Sequence, residues 1–156
     1  MRKKRKYTKS HQPDVQYSNI TVSRFINYLM NDGKKSVAEK VFYKALENVK
    51  KEIKEQEPFA VFEKALENAS PLLELVSRRV GGANYQVPRE VRPERKFFLG
   101  CKWIINAARS KKGKPMAQKL AEELIAASKN EGAAIKKKQN VHKMAEANRA
   151  FAHFAR

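Results

Sequence analysis

The sequence predicts a mainly α protein: a single helical domain of about six helices, one protruding two-stranded β-hairpin and a basic N-terminal arm. Three observations carry this. Apolar residues recur at i, i+3, i+4 and i+7 through most of the chain. Residues 72–91 change instead to a period of two around Gly81-Gly82. The first eleven residues hold Arg2, Lys3, Lys4, Arg5, Lys6 and Lys9 with no acid. At 156 residues and 42% hydrophobic content the chain can bury one modest core. The expected division is an arm over 1–17 and a helical domain over 18–156.

Taken in order, the arm has no apolar periodicity and is expected to stay disordered until it meets an anion. Val22, Phe25, Ile26, Leu29 and Met30 form a helical stripe, and Asn31-Asp32-Gly33 supplies the stop, so a first helix covers about 21–32. Ser36 and Glu39 have capping-box spacing and would open a second helix on Ala38, Val41, Phe42, Ala45, Leu46 and Val49. Pro58 suits the first turn of a third helix bearing Phe62, Ala65 and Leu66, which closes before Pro71. In the ribbon, Leu73, Leu75, Ser77 and Arg79 alternate with Leu72, Glu74, Val76 and Arg78, and Tyr85, Val87, Arg89 and Val91 continue the period. Gly81 and Gly82 provide the positive φ of a turn, while Pro88 removes one ladder donor. An isolated ribbon is marginal in water, so it is expected to lean on helices at its base and project outward. Pro93 opens a fourth helix to about Arg109. After a basic loop from Ser110 to Lys114, Pro115 opens a fifth with Met116, Leu120 and Leu124 inside. Beyond Gly132 a last helix is expected over about 133–154, with Val141, Met144, Ala145, Asn148 and Ala152 along one face. Lys136, Lys137 and Lys138 near its start oppose the helix dipole, a cost that an external anion would offset.

Thirty-four Lys and Arg against 16 Asp and Glu give a formal charge of +18, which calls for a polyanionic partner, nucleic acid in preference to an acidic membrane surface. The charge is also segregated. Residues 47–67 hold six acids and four bases, whereas 78–96 hold six bases and two acids. Cys101, the one cysteine, excludes an intramolecular disulfide and fits a reducing cytosol; beside Phe97, Ile104, Ile105 and Ala108 it reads as core. No apolar run reaches the length of a membrane span, and the basic N-terminus leads into polar residues, so a soluble cytoplasmic protein with no membrane partner is expected.

Catalytic constellations do not emerge. His11, His142 and His153 lack the partners and spacing of a metal site, and Gly81-Gly82 lacks the Gly-Lys-Ser/Thr of a phosphate loop. Adjacent Glu122 and Glu123 read as solubility charges on different sides of a helix, and His142 as a surface or RNA-facing imidazole. No enzyme activity, metal or cofactor is expected. The pattern supports a multipart binding surface. It would comprise the arm; Lys34 and Lys35; the ribbon with Arg78 and Arg79, followed by Arg92, Arg95 and Lys96; the loop with Lys111, Lys112 and Lys114; and the helix start with Lys136 and Lys137. In the ribbon, Arg78 and Arg79 at the stem would hold phosphates, and Tyr85 beside the turn would stack on a base. A folded RNA suits such scattered patches. A DNA-architectural protein with a basic β-ribbon is the alternative, although Gly-Gly-Ala-Asn offers no apolar wedge at the tip.

Three segments go further: Arg24 to Lys35 (RFINYLMNDGKK), Ser77 to Pro88 (SRRVGGANYQVP) and His142 to His153 (HKMAEANRAFAH). Together, in order and across nearly the whole chain, they resemble the bacterial form of small-subunit ribosomal protein seven. The resemblance implies a structural, non-catalytic protein that binds the 3′ major domain of small-subunit ribosomal RNA early in assembly and helps organise the head. It implies a place at the subunit interface near the exit site. There Gly81, Gly82, Ala83, Asn84 and Tyr85, with His142 and Arg149, would approach transfer RNA and the messenger RNA path. Small-subunit ribosomal protein eleven and other head proteins would be its protein partners. The chain departs from the family pattern at Val76, where a basic residue is common, and at Lys96 and Lys102, where arginine is frequent. It also lacks a tyrosine-containing aromatic tail at residues 154–156. Lysine lacks the bidentate fork of arginine, so phosphate contacts at those positions would be less specific in geometry.

Overall fold

A computed structural model describes residues 11–54 and 56–155. Their order is α1 (Ile20–Leu29), α2 (Lys35–Glu52), α3 (Pro58–Ala69), β1 (Leu73–Val80), β2 (Ala83–Glu90), α4 (Pro93–Ser110), α5 (Met116–Ser128), α6 (Ala133–Ala147) and a C-terminal 3-10 helix (Arg149–Ala155). The mainly helical class with one hairpin is as expected. Two compact units are distinguished, one up to Glu39 and one from Lys40 onward.

In the first unit, the Asp14 carboxylate accepts the backbone N–H groups of Gln16 and Tyr17 at 3.1 and 3.2 Å, closing a turn. Asn19 Oδ1 then accepts the Thr21 N–H at 2.7 Å and caps α1, whose Val22, Phe25, Ile26 and Leu29 are buried. The helix stops at Leu29, three residues short of expectation, because Met30 is already extended and Asp32 and Gly33 adopt positive φ. The Ser36–Glu39 capping box does not form: α2 begins at Lys35, which places Ser36 inside the helix instead of ahead of it.

In the second unit, burial follows the expected stripes. Phe42, Ala45, Leu46 and Val49 of α2 are buried, and the Phe42 ring meets Phe62 of α3 edge-on at 5.3 Å. Cys101, Ile104, Ile105 and Ala108 of α4 and Leu120 and Leu124 of α5 complete the core. Each fully buried Phe or Leu contributes about 1.5–3 kcal/mol relative to exposure. Met116 is only half-buried, since it opens the first turn of α5. Helices α3 and α4 approach closely at Gly100, where an added Cβ would lie 2.8 Å from Ser70 Oγ. That hydroxyl donates to the Leu66 carbonyl at 2.7 Å.

Polar joints fix the remaining helices. Asn68 Nδ2 donates to the carbonyls of Ala127 and Ser128 at the end of α5, at 2.9 and 3.1 Å. The Asn68 carbonyl in turn accepts Lys138 Nζ of α6 at 2.7 Å. Glu123 is 1% exposed and accepts the Ala134 N–H at 3.0 Å at the start of α6. It is a structural carboxylate, not the solubility charge expected. It also supplies, from inside the protein, negative charge at the helix start that carries Lys136 and Lys137. Gly132, at φ 94°, makes the joint possible, because a Cβ there would lie 2.8 Å from Glu123 Oε1.

The last helix does not run unbroken to residue 154. At Asn148 the side-chain amide donates to the Met144 carbonyl at 2.7 Å, the backbone leaves α geometry, and the chain tightens into the 3-10 turn. The buried side of α6 is Ala134, Ile135 and Ala145, while Met144, expected on the inner face, is 45% exposed.

Candidate nucleic-acid interface

Strands β1 and β2 pair antiparallel from Leu73↔Glu90 to Val80↔Ala83, leaving Gly81 and Gly82 as a two-residue turn with φ 57° and 89°. Two successive positive φ values match the right-handed twist of the strands, which explains the Gly-Gly requirement. Residues 81–84 are exposed.

The register moves one expectation. Arg79 faces Asn84 and Arg78 faces Tyr85, so both arginines sit within three pairs of the turn, at the tip and not at the stem. Period-two alternation then separates them: Arg78 shares a face with Tyr85, and Arg79 lies exposed on the other. Arg78 Nη1 donates to the Phe154 carbonyl at 2.9 Å. Tyr85 is half-buried, with Phe151 and Phe154 of the 3-10 helix at ring distances of 5.0 and 5.5 Å. Its ring is therefore not open to a base as expected.

At the base, the imidazole Nε2 of His142 accepts the Leu72 N–H at 3.2 Å, so His142 anchors the hairpin to α6. Burial, followed by the charge of Lys138, holds this imidazole below its ordinary 6.5 and favours the neutral acceptor form. Glu74 of β1 binds Arg89 at 2.9 Å and Arg95 of α4 at 3.2 Å, clasping both strands and the helix. Burial raises the Glu74 pKa, but the hydrogen bonds from Arg89 and Arg95 outweigh it and hold the carboxyl below its ordinary 4.5. Arg95 also lies over the Phe98 ring at 5.1 Å.

The other cations fall into two groups. Arg92, Lys112, Lys136, Lys137 and Arg149 are exposed. Lys111 reaches Glu123 at 3.1 Å and Glu122 at 3.6 Å, and Lys114 bonds Glu122, so this loop is partly neutralised from within. Lys96 is half-buried near Lys138, whose ammonium is pushed below its ordinary range by burial and then by the Lys96 charge. In the first unit, Lys34 is exposed and Lys35 makes a loose 3.9 Å pair with Glu39. Arg2, Lys3, Lys4, Arg5, Lys6 and Lys9 lie outside the described residues. The hairpin thus gathers Arg78, Arg79 and the exposed turn, with Arg92 and Arg95 at the adjoining helix start; Lys111 and Lys114 of the α4–α5 loop turn toward acids instead.

Sequence reasoning passed over the roles of Glu74 and Asn68 and the aromatic cover on Tyr85, and misread Glu123 as a solubility charge. Glycines carried the available signal: Gly100 inside a helical stripe marks a close approach, and Gly132 marks the joint that Glu123 fills. Among the described residues, no group of three or more His, Cys, Asp or Glu could hold a metal ion, and no helix is long and apolar enough to cross a membrane.

Small ribosomal subunit protein uS7 of Thermosipho africanus is 53% identical over 154 residues, covering 99% of both chains. The uS7 proteins of Afipia carboxidovorans and Leptospira biflexa are 55% and 56% identical over 142 and 141 residues, with 91% and 90% of this chain and 90% and 89% of those relatives covered. The family described as ribosomal protein S7p/S5e, one of structural ribosomal proteins and not of enzymes, matches residues 1–149. With that match spanning the helical body, the basic hairpin and the start of the 3-10 helix, the chain belongs to the ribosomal protein S7p/S5e family.

Proposed function

We propose that this protein, as a structural constituent of the small ribosomal subunit, binds the 3′ major domain of ribosomal RNA early and organises the head of the subunit. The observation that carries the reading is the hairpin: an exposed Gly-Gly turn with Arg78 and Arg79 near it, and Arg92 at the opposite, stem end, on a chain of net charge +18. Scattered cations suit RNA, whose folded shape and phosphates are recognised more than its base edges. In this reading the arm over 1–17 and Lys34 and Lys35 add phosphate contacts to those of the body over 18–156. Arg95, Lys96, Lys112, Lys136 and Lys137 extend the same role, with Lys111 and Lys114 contributing once released from their acids. The hairpin tip, with Arg149 beyond α6, faces exit-site transfer RNA and messenger RNA at the subunit interface. His142 acts there by anchoring the hairpin. Small-subunit ribosomal protein eleven is the neighbouring protein partner in the cytoplasmic ribosome. Family membership favours this reading over the DNA-architectural one.

Binding to a fragment of the 3′ major domain is expected to weaken steeply with salt. Neutralising about six phosphates gives a log-log slope of about −4 to −5. Filter binding from 50 to 400 mM salt measures it, and a slope near zero defeats the reading.

A further inference from the structure

The C-terminal 3-10 helix covers the hairpin face that carries Tyr85 and Arg78. Phe151 and Phe154 lie on Tyr85 at 5.0 and 5.5 Å, and His153 lies 4.0 Å from the Phe154 ring. The Phe154 carbonyl takes the Arg78 guanidinium at 2.9 Å. Tyr85 thereby has aromatic partners and Arg78 an oxygen acceptor, the two kinds of contact that the bases and phosphate oxygens of a single strand also offer. Against a single carbonyl oxygen, a phosphate offers several anionic oxygens to the guanidinium and can take two of its N–H groups at once. Seven residues are also a long run for 3-10 geometry, which seldom persists beyond about four without outside support. The hydrophobic side of the segment finds that support on β2 and α6.

We propose that this segment is a strap over the hairpin: in the free protein it covers Tyr85 and Arg78, and single-stranded RNA displaces it by taking over the ring and guanidinium contacts. The inference rests on the reading of the hairpin as an RNA-facing element, and adds that this element is masked until RNA arrives. The strap excludes weak or accidental ligands from the tip, because any ligand must outcompete the contacts of the strap, those of Phe151 and Phe154 on Tyr85 among them, before it gains the site.

The test uses the full chain, a Phe151→Ala/Phe154→Ala variant that keeps every charge and the chain length, and each of these combined with Tyr85→Ala. Fluorescence anisotropy with a labelled 12-nucleotide oligouridine at fixed low salt reads the affinity, and a folded 3′ major-domain fragment serves as a second ligand. The strap is expected to lower affinity for the 12-mer about tenfold, so the double variant gains about that factor, and Tyr85→Ala removes the gain. In the 19F spectrum of the 3-fluorotyrosine-labelled full chain, the 12-mer is expected to shift the Tyr85 signal toward its position in the double variant. A double variant that binds the 12-mer more weakly overturns the strap and makes the rings part of the platform. Equal binding by all four proteins also overturns it. The reading of the hairpin as RNA-facing fails separately, if Arg78→Ala with Arg79→Ala leaves affinity for the folded fragment unchanged. Circular dichroism melting of the double variant is expected to match the full chain, and a loss of helix would transfer any affinity change to misfolding and overturn the assignment.

Discussion

Between Phe62 in α3 and Tyr85 in β2 the kind of cohesion changes. Phe62 is fully buried, with the Phe42 and Phe59 rings at 5.3 and 6.3 Å, and is held by apolar burial. Tyr85 is held at a half-exposed surface by two rings, and its neighbour Arg78 by a hydrogen bond to one carbonyl. The core stripes of the helices are therefore held mainly by non-directional burial, with polar joints at Asn68 and Glu123 beside it, whereas the hairpin face that carries Tyr85 and Arg78 is held by discrete contacts at a surface. Stability and recognition are thereby assigned to different interactions, and each can be altered with little cost to the other.

The largest test of that separation is Phe62→Ala, expected to cost about 3–5 kcal/mol in urea unfolding. RNA affinity, measured where the variant remains folded, should keep its salt slope. A changed slope would show that core packing sets the binding face.

Glu123 tests the polar joint between α5 and α6. Glu123→Ala removes the acceptor for the Ala134 N–H and the nearer of the two acids paired with Lys111, and about 1–3 kcal/mol is the expected loss. Glu123→Gln keeps an oxygen acceptor and should lose less. Equal losses from both would assign the effect to the ion pair with Lys111 and not to the cap.

The smallest effect is expected at the hairpin base. Because the folded His142 pKa is depressed below 6.5, the unfolded chain binds more protons between the two values, and stability rises with pH across that window. The Leu72 N–H bond is complete above pH 6.5 and is lost as pH falls through the folded value. Lys138 opposes protonation; Glu90 and Glu146, which line the same groove, favour it, and Arg149 there opposes it. Hydrogen exchange at the Leu72 amide should quicken below that value by less than about 1 kcal/mol of protection. The Gln variant at 142, unable to titrate, should show a flat profile; a wild-type profile equally flat would sever the link between His142 and the hairpin.

What was legible in the sequence follows from these same physical differences. The stripes Phe42-Ala45-Leu46-Val49 and Leu120-Leu124 announce their helices, because burial imposes a period that needs no knowledge of the neighbour. The Gly81-Gly82 turn and the Pro58 and Pro93 starts were equally readable, being local constraints on backbone angles. Glu123 was not readable, since a carboxylate on a helix looks the same whether it meets water or an N–H eleven residues ahead. Nor was the masking of Tyr85, because its partners Phe151 and Phe154 lie over sixty residues away and break helical phase only at Asn148. The site was legible as charge, and which cations are engaged by acids was not.

Leu72 and His142 are 70 residues apart, and Arg78 and Phe154 are 76 apart. A chain made from its N-terminus therefore presents the hairpin well before either fastening exists. At ordinary elongation rates of about 5–20 residues per second, the interval is on the order of 4–15 s. During that time Tyr85 is open on the nascent chain, and the proteins that meet it then are those of the synthesis machinery and its chaperones. The order of synthesis thus gives the hairpin an early, uncovered life that the finished molecule no longer displays.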